Sequence, residues 1–276
     1  MTCQNFAPSP PLQPYIEEFT LLQSSADARS TESLPPGGRS GLLINLGTDC
    51  LVNTQVLPAL AIGGQTTHTM QLTQQAGSQI LMITFRTTGF FRLFGLPMQE
   101  LSDQVLDIEA VLPLSFRQRW RSALDQLREL HSIQDRIRLI ERQLLIAANQ
   151  VPTHSRGWVE EASRLLAHPS NGRIQNLSTE LRISPRQLSR EFTRQVGISP
   201  KHFAQVMRFR HVFRAAHTQS RLTWLDLVYL GGWYDQAHFC NDLYQITGLT
   251  PSVFFAQHPA TTGMLINNHD GWTPLW

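Results

Sequence analysis

Apolar positions along the chain change their period near residue 112, and the change divides the sequence into two kinds of structure. From 15 to 90 the apolar runs are short or alternate with polar residues, over 41–46, 51–56, 60–63, 68–72 and 79–85. Turn-forming stretches such as Pro35-Pro36-Gly37-Gly38 and Gly47-Thr48-Asp49 separate them. A period of two sends successive side chains to opposite faces of a strand, so this region predicts an antiparallel β sandwich or barrel. Residues 1–14 are Pro-rich and read as extended, and 24–33 as a polar loop. Phe90, Phe91, Leu93 and Phe94 predict a helical turn against the sheet, with 101–111 as a connecting segment.

Helical spacing then takes over. Phe116, Trp120, Ala123, Leu124 and Leu127 share a face over 113–130, as do Ile133, Ile137, Ile140 and Leu144 over 132–148. Together they predict an antiparallel helical hairpin that turns at His131 and Ser132. Residues 150–156 read as a linker, and 158–167 as the first helix of a further domain.

That domain contains the same unit twice between 172 and 257: a short amphipathic helix, a tight turn, and a second helix loaded with polar side chains. In the first copy Ile174, Leu177 and Leu181 recur at helical spacing, Arg182-Ile183-Ser184 turns, and Pro185 opens a helix running to about Val196. In the second, Leu225, Leu227, Val228 and Leu230 mark the first helix, Gly231-Gly232-Trp233 the turn, and Asp235 or Gln236 the next start. Both close alike, on Gly197-Ile198-Ser199-Pro200 and Gly248-Leu249-Thr250-Pro251. Each is a glycine able to take the left-handed C-cap, followed by Ser or Thr capping a Pro-led helix. Two helix-turn-helix units in one small domain point to double-stranded DNA. The helix joining them, over 200–217, carries Phe203, Val206 and Met207 early and Phe209, Val212, Phe213 and Ala216 late. At ~100° per residue its apolar direction turns by roughly a third of a circle midway, as burial of each half against a different unit requires. Its ~27 Å length suits two recognition helices about one DNA turn (~34 Å) apart.

Charge supports this division. The chain has a net charge of +2, yet from 172 to 259 ten cations face five carboxylates, a net +5 that leaves −3 for the remainder. A basic C-terminal third beside a mildly acidic remainder suits a DNA-binding domain joined to one with another task. Lys201 is the only lysine, so cation chemistry falls to arginine, which can grip phosphates or guanine edges with two hydrogen bonds.

The segments Ser184-Pro185-Arg186-Gln187-Leu188-Ser189-Arg190-Glu191-Phe192, Val196-Gly197-Ile198-Ser199-Pro200-Lys201 and Asp235-Gln236-Ala237-His238-Phe239, with the closing Gly248-Leu249-Thr250-Pro251, resemble the DNA-binding domain of AraC/XylS-type transcriptional regulators. The likeness covers roughly 158–257. A β domain, then Leu101-Ser102-Asp103-Gln104-Val105, then paired helices is similar to a subgroup of such regulators whose N-terminal domain has no assigned ligand. Carried over residue by residue, the resemblance implies base-edge contacts from Arg186, Ser189 and Arg190, with Gln187 and Arg194 nearer the phosphates and Lys201 beside them. Arg186 and Arg190 lie four apart on one helix face, where an arginine can bond guanine O6 and N7. In the second unit it implies contacts from Gln236, His238 and Asn241. Asn241 stands where the family often has Arg or Lys, and Asp242 beside it is expected to repel phosphate, so the second unit should bind more weakly. Arg182 stands where a turn glycine is usual, and Val228 where alanine is usual.

Enzymatic readings find less support. A cupin-like metal enzyme needs clustered His and carboxylate ligands, whereas His68 stands alone among the strands. His202, His211, His217 and His238 lie in the helical part, and Cys3, Cys50 and Cys240 are too scattered for a zinc site or disulfide framework. No G-x-S-x-G elbow or P-loop is present. Residues 1–14 lack a basic region followed by an apolar core, and no segment approaches a membrane span in length, so a cytoplasmic location is expected.

The expected fold is α+β: an N-terminal antiparallel β sandwich or barrel (1–111), a helical hairpin (112–150), an all-α domain with two helix-turn-helix units joined by a linker helix (155–258), and a disordered tail (259–276). The expected function is that of a sequence-specific, one-component transcription regulator without catalytic or metal residues or a cofactor. Its expected partners are double-stranded DNA, a small-molecule effector, RNA polymerase if it activates, and a second copy through the hairpin. The alternative is a cupin-like small-molecule-binding protein or metal-dependent enzyme with an accessory DNA-binding domain.

Overall fold

The computed structural model describes residues 2–24, 29–150, 157–168, 174–218 and 222–257. The expected linker (150–156, beyond Gln150) and tail (259–276) fall outside them. Among the described residues the N-terminal part has ten strands: β1 (Thr2–Phe6), β2 (Ile16–Gln23), β3 (Ser30–Leu34), β4 (Gly41–Asn45), β5 (Cys50–Val52), β6 (Gln55–Val56), β7 (Leu60–Gly63), β8 (Met70–Gln74), β9 (Gln79–Phe85) and β10 (Val105–Asp107). They form a six-stranded sheet in the order β1-β2-β9-β4-β7-β10 and a four-stranded sheet in the order β3-β8-β5-β6. Every ladder is antiparallel.

Strand alternation gives the larger sheet two apolar faces. Leu22, Ala61 and Ile80 join Cys50 and Leu72 of the smaller sheet, and Leu57 just after β6, in one buried cluster. Their sequence neighbours Leu21, Ile62 and Leu81 point the other way, into a core shared with helices. Those helices are α1 (Gly89–Phe94), α2 (Ile108–Val111), α3 (Leu114–Glu129) and α4 (Ile133–Gln150). Trp120, Leu127, Ile140 and Leu144 of the α3–α4 hairpin are buried in the same cluster as Phe19, Leu42 and Ile83 of the sheet.

The run over 51–56, read as one strand, is the antiparallel hairpin of β5 and β6, and two further segments differ from expectation. The stretch read as a polar loop contains β3, which pairs with β8 from Ser30–Gln74 to Leu34–Met70. Its side chains bond across the ladder, Thr31 to Thr73 at 3.0 Å and Ser33 to Gln71 at 3.1 Å, so polar pairing replaces apolar alternation. The connecting segment over 101–111 contains β10, paired with β7, and then α2, capped by Asp107 accepting from the Glu109 amide at 2.8 Å.

The C-terminal part is helical: α5 (Gly157–Leu166), α6 (Ile174–Glu180), α7 (Pro185–Val196), α8 (Pro200–Thr218), α9 (Trp224–Leu230), α10 (Gln236–Thr247) and α11 (Pro251–Gln257). Helix α8 divides its apolar residues as its sequence required. Phe203, Val206 and Met207 are buried with Val159, Leu188 and Phe192 in the first unit, and Phe209, Val212 and Phe213 with Leu227, Phe239 and Phe254 in the second. Its 19 residues span ~28 Å at ~1.5 Å per residue.

Candidate nucleic-acid interface

The recognition helices α7 and α10 are built by local signals in the same register. Ser184 caps α7, its Oγ accepting from the Gln187 amide at 3.2 Å, and Pro185 supplies a first residue with no amide hydrogen to satisfy. Asp235 caps α10 in the same way, accepting from the His238 amide at 2.7 Å. Gly197 and Gly248 end the helices with φ of +105° and +71°, in the left-handed half of the map where a side chain is strained. Ser184 and Asp235, Gly197 and Gly248, and Pro200 and Pro251 are each 51 positions apart. The same step pairs Arg186 with Ala237, Ser189 with Cys240, Arg190 with Asn241 and Glu191 with Asp242.

This register sorts faces. Leu188 and Phe192 in α7, and Phe239 and Leu243 in α10, are buried against α8 and its neighbours. Arg186, Ser189 and Arg190 are exposed on α7, and Gln236, Ala237, His238 and Asn241 on α10. Gln187 is half-buried, while Lys201 is exposed in the first turn of α8. The structure thus brings Arg186, Ser189 and Arg190 onto one solvent-facing surface. Arg194 lies elsewhere: its guanidinium sits 4.8 Å from the centre of the Phe91 ring, against the β domain, and its Nε donates to Glu191 at 3.2 Å.

Asp242 overturns one expectation. It is 6% exposed and points into the protein rather than toward a phosphate. Its carboxylate accepts from the Trp233 indole at 2.8 Å, the Arg208 guanidinium at 3.1 Å and the Gln205 amide at 3.2 Å. Buried carboxylates need such donors, and here they bind α10 to α8. Glu191 is also buried, but its partners are its own-helix neighbours Arg190 and Arg194. Nothing local to Asp242 announced this, because its two α8 donors lie 34 and 37 positions upstream.

The two units also differ in charge and surface. From 222 to 257 there is no Lys or Arg, whereas α7 alone carries three arginines. Trp224, Leu225, Tyr229, Tyr234 and Tyr244 of the second unit are exposed. A groove of about 410 Å³ runs beside α10, lined by Trp224, Cys240, Asn241, Tyr244 and Pro251 among others.

The β domain meets the first unit. Ser102 Oγ donates to the Gly197 carbonyl at 2.8 Å, and a Cβ on Gly197 would fall 2.9 Å from that hydroxyl oxygen and 3.1 Å from the Met98 carbonyl. Arg92 pairs with Glu160 at 3.3 Å, and Arg210 of α8 donates to the Gly37 carbonyl at 3.2 Å. Removal from water, and then the nearby Arg39, depress the Arg210 guanidinium to about 10, so it stays charged at neutral pH. Among the described residues no three of His, Cys, Asp and Glu come together as a metal site, and no helix is long and apolar enough to cross a membrane.

Two family models match separate parts of the chain. Residues 177–257 match a family model described as a helix-turn-helix domain, and residues 4–107 one described as a domain of unknown function, DUF6597. The chain carries a helix-turn-helix domain and is a DNA-binding transcriptional regulator. A search of curated proteins gave no match. Among solved structures, ToxT from Vibrio cholerae O395 has a TM-score of 0.45 at 10% identity, over 89% of this chain and 98% of that one. Wild-type ToxT from the same species bound to an unsaturated fatty acid scores 0.46 at 10% identity, over 87% and 95%. The AraC-like transcriptional activator CuxR scores 0.25 at 12% identity, over 75% and 84%.

Proposed function

We propose that the protein lies along one face of a DNA duplex, with α7 in one major-groove segment and α10 in the next, and that α7 supplies most of the affinity. The observation that supports this reading is the matched pair of recognition helices on α8, with Arg186, Ser189 and Arg190 exposed together on the first. Lys201 and Gln187 add contacts to the sugar-phosphate backbone, and Gln236, His238 and Asn241 form the second contact face. Arg194 joins them by leaving Phe91.

The functional division in this reading is a β domain over 1–111, the hairpin over 112–150, the DNA-binding domain over 155–258 and the tail over 259–276. The β domain takes a small-molecule effector, and its state reaches DNA through the contacts of Ser102 and Phe91 with α7. The hairpin carries any homodimer, and RNA polymerase is a partner if the protein activates. Its place of work is the cytoplasm, and no catalytic step is involved. Binding-site selection followed by footprinting tests the reading. Two protected major-groove segments about 10 base pairs apart on one face are expected, and protection of a single segment would contradict the two-helix mode.

A further inference from the structure

The second recognition face has the wrong chemistry for guanine and the right chemistry for an A·T pair. Guanine presents two acceptors in the major groove, O6 and N7, and is read by a side chain that offers two donors. In α7 the exposed positions include Arg186 and Arg190, which do so. The 51-residue step replaces them in α10 with Ala237 and Asn241, and replaces Ser189 with Cys240. Asn241 is exposed and offers one donor and one acceptor, which match N7 and the N6 amino group of adenine. Ala237 is exposed and Cys240 half-buried, and each offers a small apolar group that matches the thymine methyl.

Two further observations fix the character of this face. The carboxylate that could have made it acidic is turned inward, with Asp242 held by Arg208, Gln205 and Trp233 and His238 Nε2 only 3.7 Å from it. The groove alongside is walled by Trp224 and Tyr244, whose rings suit methyl groups and deoxyribose rather than phosphate.

Building on the DNA-binding mode above, we propose that α10 reads A·T base pairs, with thymine methyls against Ala237 and Cys240 and an adenine edge on Asn241. The operator is therefore asymmetric: guanines lie in the segment under α7, and A·T pairs in the segment under α10.

The test uses the full chain and the duplex obtained by binding-site selection. The α7 segment is identified as the one whose sequence preference relaxes in Arg190→Ala. Uracil replacing thymine in the other segment removes only methyl groups and is expected to weaken binding about fourfold per contacted methyl. Replacing guanine by 7-deazaguanine under α7 removes an acceptor and is expected to weaken binding roughly tenfold. Repeating the selection with Asn241→Arg is expected to bring guanine into the second segment, with thermal melting confirming that the variant is folded. A wild-type second segment rich in guanine overturns the inference. So does a silent uracil substitution, which leaves this face to a protein partner. Failure to bind any duplex overturns the DNA-binding mode itself, an outcome distinct from loss of A·T preference.

Discussion

The two helix-turn-helix units share a register and a capping scheme, yet they solve the problem of a buried carboxylate differently. Glu191 is neutralised within its own helix by Arg190 and Arg194, side chains that remain partly in water. Asp242 is neutralised from outside, by Arg208 and Gln205 of α8 and by Trp233 of the preceding turn. The first arrangement keeps Arg190 exposed on the recognition helix, within reach of a phosphate or a base edge. The second moves the arginine partner of the acid back to the linker helix and leaves the recognition helix without Lys or Arg. One unit is therefore built around charge at its surface, and the other around charge in its interior.

The largest expected effect follows from that contrast. Asp242→Ala strands the Arg208 guanidinium and the Trp233 indole, and should destabilise the protein by about 3 kcal/mol. Glu191→Ala releases two arginines to solvent and should cost about 1 kcal/mol. Chemical denaturation of both variants measures the difference, and equal losses would show that the two acids play the same part.

The C-cap glycines give a second, smaller contrast. Alanine at Gly248 meets nothing within 4 Å and bears only the left-handed backbone strain, about 1 kcal/mol. Gly197, at φ +105° and ψ −35°, lies outside the αL well that Gly248 occupies, and its Cβ would also approach Ser102 and Met98 closely, so Gly197→Ala should cost more and also loosen the β domain from α7. Hydrogen exchange at 98–102 in the two variants checks this, with faster exchange expected for Gly197→Ala alone.

The turns differ as well. Arg182 adopts φ of +53°, whereas the second unit places Gly232 at +68° in its turn. Arg182→Gly should raise stability by up to about 1 kcal/mol, because glycine takes this conformation without the steric strain a side chain brings. A drop in melting temperature would mean that the Arg182 side chain holds the turn.

The smallest effect concerns pH. Burial, followed by nearby His168 and Arg214, lowers the proton affinity of His211 on α8. The unfolded chain then binds the proton more readily, so stability is lost as pH falls through the ordinary histidine value near 6.5 and is retained above it. His211→Gln should flatten the melting-temperature profile between about pH 5.5 and 7.5 by roughly a degree or two.

What the sequence revealed of these units was whatever local geometry decides. Ser184 and Asp235 announce helix starts because a cap acts within three residues, and Gly197 and Gly248 announce ends for the same reason. The two burial directions of α8 were legible because a helix converts spacing into angle. The inward turn of Asp242 was hidden because it depends on α8. The stacking of Arg194 on Phe91 joins residues from two domains and leaves no mark in the spacing of either. Strand β3 was missed because Thr31 and Ser33 gain their partners from β8 rather than from a core.

The most direct measurement is a salt titration of duplex binding for the wild type, Arg190→Ala, Asn241→Ala and Asn241→Arg. Log K should fall with log[salt] by roughly 0.9 per phosphate contact in the wild type. Arg190→Ala should lose ~1 to 3 kcal/mol of discrimination, Asn241→Ala should lose less with an unchanged slope, and Asn241→Arg should steepen the slope by about one contact. A flat wild-type titration would contradict the DNA-binding mode, and Asn241→Ala as damaging as Arg190→Ala would contradict the dominance of the first unit.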